Sequence, residues 1–281
     1  MTIEVRLYDD PQTVLDLAEP FLAQDPILNN LLLTLLAARA AHWQPGRYWT
    51  ACKGNEVAGM AVQSPLDRAV ILSAMPADVA AVMGLAIAAQ GSDLPGVSGE
   101  ARLAARFAAE WAERRRIGAV PEAGRRIYEA RTVRDGPAVG GAVDCATSAH
   151  HALVRDWMTA FLIEIGEPLN TTSQLIDRSI DAREFWLWND GGTRSVASLR
   201  PPAQSTVRVN LVYTPPEHRR KGYAEALVRS LTSRLLDERL RPMLYADLAN
   251  ATSNGLYRRI GYEAAAEIVQ YRFGTNGAPH P

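Results

Sequence analysis

One order of segments occurs twice along the 281 residues, and it narrows what the chain can fold into. Residues 47–65 read as two strands around a Lys53-Gly54-Asn55 turn, and 184–202 repeat that plan around Asp190-Gly191. Gly-containing turns between apolar runs are a strong hairpin signal, because glycine reaches the positive φ these turns need. Each hairpin ends in proline. An apolar strand follows (69–75 and 207–213), then Pro76 or Pro215 and a helical pattern. Upstream lie helix-like segments at 13–23 and 27–41 in the first half, and at 151–164 and 172–180 in the second. Strand hairpins interleaved with amphipathic helices predict an α/β (α+β) architecture built twice. Each half is long enough for its own core. The Gly/Pro-rich stretch 135–141 suits a linker, so domains are expected at 1–135 and 142–281.

The halves diverge at one point. Residues 212–224, VYTPPEHRRKGYA, place Arg219, Arg220 and Lys221 directly before Gly222 and a helical stretch. Cations are unfavourable at a helix N-terminus, where the macrodipole already puts about half a positive charge. Unpaired backbone N–H groups point outward there as well. Both features suit a docked polyanion, and a phosphate-bearing cofactor is the ligand this pattern points to. After Pro76 the first half has neither the basic run nor the glycine, so an anion site is expected in the second half only.

Arg219-x-x-Gly222-x-Ala224 after a strand resembles the Arg/Gln-x-x-Gly-x-Gly/Ala signature of the GNAT superfamily of N-acetyltransferases. Further on, a strand at 244–249 leads to Asn250, Tyr257 and Gly261-Tyr262, similar to that family's asparagine, helix tyrosine and Gly-Phe/Tyr pattern, with a last strand at 267–273. The similarity covers about residues 143–273; the first half is similar only weakly, as in tandem members whose N-terminal copy is degenerate.

The resemblance implies tandem domains, each a mixed and mostly antiparallel sheet flanked by helices, with acetyl-CoA as cosubstrate and acetyl transfer to a primary amine by direct attack. Arg219, Arg220, Lys221, Gly222, Tyr223, Ala224 and Glu225 would hold the pyrophosphate, Glu225 through its N–H with its side chain toward solvent. Main-chain groups of Val212, Tyr213 and Thr214, on a strand splayed from its neighbour, would pair with the pantetheine arm, as would Asn250. Tyr257 would act as general acid; a phenol suits protonation of a departing thiolate. The positions where the family carries a basic glutamate are Asn210 and Asp247 here, and a water chain is the other route for the amine proton. The structural alternatives are a solvated basic run, a core aromatic at Tyr257 and a helix cap at Asn250. The competing function is a non-catalytic acyl-CoA-binding or sensing module.

Other classes find little support. A formal net charge of −1 gives no global field for nucleic acid or anionic membrane, and neither is expected as a partner. Two cysteines, Cys52 and Cys145, and five scattered histidines offer no metal spacing, so no metal is expected. The first residues lack a signal-peptide pattern, which leads to a cytoplasmic expectation. The apolar segment 27–41 is interrupted by Asn29, Asn30 and Arg39 and reads as a buried helix. Asn170-Thr171-Thr172 matches a glycosylation acceptor that has no meaning without secretion. Acceptor choice is expected from about 164–172, where Glu164 and Glu167 favour a cationic amine, a small molecule or a peptide. The first half has two open roles, a roof over the site or a homodimer surface.

Overall fold

The computed structural model describes residues 2–122, 124–166 and 173–274. Its elements in chain order are β1 (Ile3–Tyr8), α1 (Pro11–Leu22), α2 (Asn30–Ala41), β2 (Arg47–Lys53), β3 (Glu56–Gln63), β4 (Val70–Leu72), α3 (Ala77–Ala89), β5 (Gly96–Glu100), α4 (Ala101–Arg115), β6 (Gly118–Pro121) and β7 (Arg125–Ala130). Then come β8 (Ala142–Cys145), α5 (His151–Glu164), α6 (Ser173–Asp181), β9 (Phe185–Asn189), β10 (Thr193–Leu199), β11 (Thr206–Tyr213), α7 (Tyr223–Asp237), β12 (Arg241–Asp247), α8 (Ala251–Ile260) and β13 (Tyr262–Gly274). The expected order of strand, two helices, hairpin, strand and helix is present in both halves. Glu167 and the Asn170 acceptor match lie outside the described residues.

Contacts divide the chain into two units that are discontinuous in sequence. The first holds residues 1–127, 246–250 and 264–281; the second holds 128–245 and 251–263. In the first unit, β1, β2, β3 and β4 pair antiparallel in sequence, β4 pairs β5 in parallel, and β13 pairs β5 antiparallel with Ile268 opposite Glu100. The core there gathers Trp49, Met83, Phe107 and Trp111, with Phe273 of β13 stacked on Trp111 at 4.1 Å between ring centroids. In the second unit, β8, β9, β10 and β11 are antiparallel neighbours and β11 pairs β12 in parallel. The mixed, mostly antiparallel sheet flanked by helices is thus the observed architecture of each.

Helix boundaries follow local chemistry. Asp10 caps α1 by accepting from Thr13 N at 2.8 Å, and Pro11 needs no donor at the first helical position, so the helix starts two residues before the expected 13. Helix α2 spans 12 residues with Leu32, Leu33 and Leu36 buried. Among the described residues no helix is long and apolar enough to cross a membrane.

The second-unit sheet has a helix layer on each face. Val154 of α5 with Ile176 and Ile180 of α6 packs on Phe185, Leu187, Val196, Leu211 and Tyr213. Ala226, Leu227 and Leu231 of α7 pack on Trp188, Ala197 and Val212. The expected linker 135–141 packs within this unit: Trp188 Nε1 donates to Gly140 O at 2.9 Å and Val139 joins the α7-side core, while Arg229 Nε donates to Arg134 O, just before the linker, at 3.1 Å.

Candidate functional site

Strand β11 carries an irregularity that defines the site. Val196 faces Tyr213 and Ala197 faces Val212, but Ser198 faces Asn210, so Leu211 is an extra residue in β11. Its φ is 42°, in the left-handed region that side chains avoid at a cost of about 1–2 kcal/mol. An inserted residue shifts the in–out alternation by one. Leu211 and Tyr213 therefore face α5 and α6, while Val212 faces α7. Asn210 and Leu211, consecutive in sequence, line one cavity.

The parallel pairing of β11 with β12 covers Thr206↔Arg241, Val207↔Pro242 and Arg208↔Met243, whereas β11 runs on past the bulge to Tyr213. Main-chain groups beyond the bulge are already partly engaged on the β10 side. Ser195 Oγ donates to Tyr213 O at 3.0 Å, and Thr214 Oγ1 donates to Ser195 Oγ at 2.9 Å. Each carbonyl keeps a second lone pair.

The loop after β11 leads into α7 through two left-handed residues, Arg220 (φ 61°) and Gly222 (φ 84°). Gly222 is the N-cap and supplies no side-chain acceptor, so the first-turn N–H groups of Tyr223, Ala224 and Glu225 have no cap within the helix. A Cβ at position 222 would stand 3.0 Å from Val139 Cγ2 and would carry an unfavourable φ. Glycine is required here for both reasons.

The three cations divide in role. Arg219 turns inward: its Nε donates to Thr214 O at 2.8 Å, its Nη2 to Glu164 Oε2 at 2.5 Å, and its guanidinium lies 5.7 Å from the Tyr213 ring centroid. The Glu164 carboxylate raises the Arg219 pKa further above its ordinary value. Arg219 thus orders the loop. Arg220 and Lys221 are exposed and make no ion pair among the described residues. Glu164, expected to attract a cationic amine, is instead a partner of Arg219.

Glu225 also differs from expectation. Its N–H sits in the first turn as expected, but its side chain, 12% exposed, is held by Arg229 at 2.6 Å and Arg259 at 2.7 Å rather than facing solvent. These two guanidinium groups outweigh burial and lower its pKa. The Arg259 bond joins the start of α7 to α8, the helix that carries Tyr257. Tyr223 OH donates to Asp190 Oδ2 at 2.8 Å, fixing the same turn to the β9–β10 hairpin.

Tyr257 is buried among aromatics, 6.3 Å from the Tyr128 ring and 5.9 Å from Tyr262. Its hydroxyl makes no hydrogen bond among the described residues, and burial pushes its pKa up to about 12. Asn250, immediately before α8, is exposed and belongs to the first unit. Asp247 is exposed and its Oδ1 accepts from Ala249 N at 2.8 Å. Ala224 is the second residue of α7, two positions after Gly222, as the motif spacing requires.

Sequence reasoning missed the cavity itself. It measures about 370 Å³ and is walled by Met158 of α5, Leu175, Ile176, Arg178 and Ser179 of α6, Glu184, Phe185, Ser198, Arg200, Asn210 and Leu211. Glu184 and Arg200, neighbours on its wall, pair at 3.3 Å. No local motif marks Glu184, because its place on the wall comes from the pairing of β9 with β10.

Residues 200–272 match a family model described as "FR47-like protein". No curated protein matches the chain. An acetyltransferase from GNAT family from Colwellia psychrerythraea is similar at TM-score 0.66 and 12% identity, covering 96% of this chain and all of that one. A GCN5-related N-acetyltransferase from Sphaerobacter thermophilus gives 0.63 and 13%, covering 96% and 95%. A tandem GNAT protein from the clavulanic acid biosynthesis pathway gives 0.55 and 10%, covering 99% and 100%. With its bulged strand, glycine-capped α7 and repeated element order, the chain has the fold of the GNAT acetyltransferases in its tandem form.

Proposed function

We propose that the chain transfers an acetyl group from acetyl-CoA to a primary amine. The observation that carries this reading is the junction of the Leu211 bulge with the Gly222-capped start of α7. Several of the similar structures are described as acetyltransferases, which agrees with it. Exposed Arg220 and Lys221, with the N–H groups of Tyr223, Ala224 and Glu225, fit a pyrophosphate. Main-chain groups of Val212, Tyr213 and Thr214 beyond the bulge would hold the pantetheine arm.

Acetyl-CoA, when bound, supplies the activated thioester: the amine nitrogen bonds to the acetyl carbon, the carbon–sulfur bond breaks, and the sulfur leaves with the electron pair. Tyr257 donates the proton the departing sulfur takes up; burial keeps its phenol protonated throughout the neutral range. Glu184, on the cavity wall, receives the amine's proton directly or through water. The bulge at Leu211 places Asn210 and Leu211 together on the cavity wall, and the amine would approach the thioester from this cavity.

Single-turnover release of the CoA thiol over a panel of amines tests the reading. Thiol release that depends on an amine is expected, and it should fall at least a hundredfold in Tyr257→Phe while acetyl-CoA affinity holds. Acetyl-CoA binding with no release for any amine would leave a non-catalytic acyl-CoA-binding module.

A further inference from the structure

The cavity beside the bulge holds more positive charge than the protein neutralises. Arg178, Glu184 and Arg200 line it, two arginines to one glutamate. Glu184 is engaged by Arg200 at 3.3 Å. A third guanidinium is close. Arg208 precedes Asn210 by two on β11, and before the bulge this spacing puts both on one face of the sheet. Asn210 lines the cavity, so Arg208 is on the cavity side. Arg200 N donates to Arg208 O at 3.0 Å, which sets the two arginines side by side.

Arg208 lies 5.8 Å from the Tyr245 ring centroid, and no carboxylate pairs with it among the described residues. Burial, with the charge of Arg200 alongside, lowers its pKa from the ordinary arginine value. A guanidinium near an aromatic ring, largely withdrawn from water and lacking a carboxylate partner, is stabilised when an anion arrives.

We infer that this cavity binds an acceptor bearing a carboxylate beside its amine, an amino-acid-like zwitterion, with Arg208 and Arg200 on the carboxylate and Glu184 on the amine. This deepens the proposed acetyl transfer and rests on it. A planar carboxylate matches the two-pronged donor geometry of a guanidinium. A cavity of about 370 Å³ suits a small molecule rather than a protein surface. Met158, Leu175 and Phe185 make part of its wall apolar, beside polar Ser179, Ser198 and Asn210, which leaves room for an aliphatic or aromatic body next to the charged ends.

The test compares a set of free amino acids with their carboxamides, each titrated by calorimetry with and without CoA present. The acids are expected to bind at least tenfold more tightly than the matched amides. Arg208→Met should abolish that preference while acetyl-CoA still raises the melting temperature, which shows that the variant is folded. If that variant gives no acetyl-CoA shift, Arg200→Gln is read in its place, with the same loss of preference expected. Equal binding of acids and amides, or no binding of any acid, overturns the acceptor class. Absence of an acetyl-CoA shift in the unaltered protein would overturn the cofactor reading separately, because the acid–amide comparison without CoA does not depend on it.

Discussion

Arg219 reaches Glu164 with its Nη2 2.5 Å from the carboxylate, tying the loop before α7 to the C-terminal end of α5. The side chains are 38% and 51% exposed, so the pair itself contributes little, on the order of 0–1 kcal/mol. Its effect is on the field at the loop. Glu164→Gln removes one negative charge there and is expected to tighten acetyl-CoA binding a few-fold at low salt with little change in melting temperature. Lys221→Ala is expected to weaken binding about tenfold, ~1.4 kcal/mol. Both differences should shrink in 0.5 M salt, as screening of exposed charges requires; calorimetric titration at two ionic strengths reads them.

Gly222 holds a φ of 84° with Val139 Cγ2 3.0 Å from where a Cβ would stand. Gly222→Ala is expected to lower stability by about 1–2 kcal/mol, from the left-handed strain and the Val139 contact together. Adding Val139→Ala relieves the contact and leaves the strain, so the double variant should not regain the stability of the glycine protein. Chemical denaturation measures both.

Tyr257 titrates near 12, whereas an unfolded tyrosine titrates near 10. The folded state therefore holds this proton more firmly. Its contribution to stability is complete below pH 10 and is lost as pH rises from 10 through about 12. Tyr262, buried and also raised, acts in the same direction. Unfolding measured at pH 8, 10 and 11 should show a decline above 10 that is shallower in Tyr257→Phe. Below pH 10, Tyr257 should add no alkaline limb to turnover.

Leu211 combines a positive φ with a buried side chain, 7% exposed. Leu211→Gly relieves about 1–2 kcal/mol of backbone strain but gives up the burial of a leucine and leaves a cavity, about 3–5 kcal/mol. The loss wins, and a net destabilisation of about 1–4 kcal/mol is expected in denaturant unfolding.

The hairpins were legible because glycine turns and proline ends are local signals, and Gly54 and Gly191 do adopt positive φ. The motif at 219–224 was legible for the same reason: a glycine before a helix leaves its mark within six residues. The bulge was not, since nothing in Asn210-Leu211-Val212 announces a leucine at φ 42°. Glu225 looked exposed because its partner Arg259 is 34 residues away, and Arg219 looked free because Glu164 lies 55 residues upstream. β13 pairing with β5, Ile268 opposite Glu100, is longer in range still. Such contacts depend on topology, which local patterning does not encode. β5 and α4, absent from the sequence reading, are alanine- and arginine-rich at 101–115, where apolar and charged positions mix at short range.

Calorimetric titration of acetyl-CoA into the unaltered protein and into Gly222→Glu tests most directly whether the start of α7 binds the cofactor's pyrophosphate. Saturable binding is expected for the unaltered protein and none for Gly222→Glu, whose carboxylate would occupy the N–H groups and repel the phosphates. Absence of binding by the unaltered protein, or equal binding by both, would contradict it.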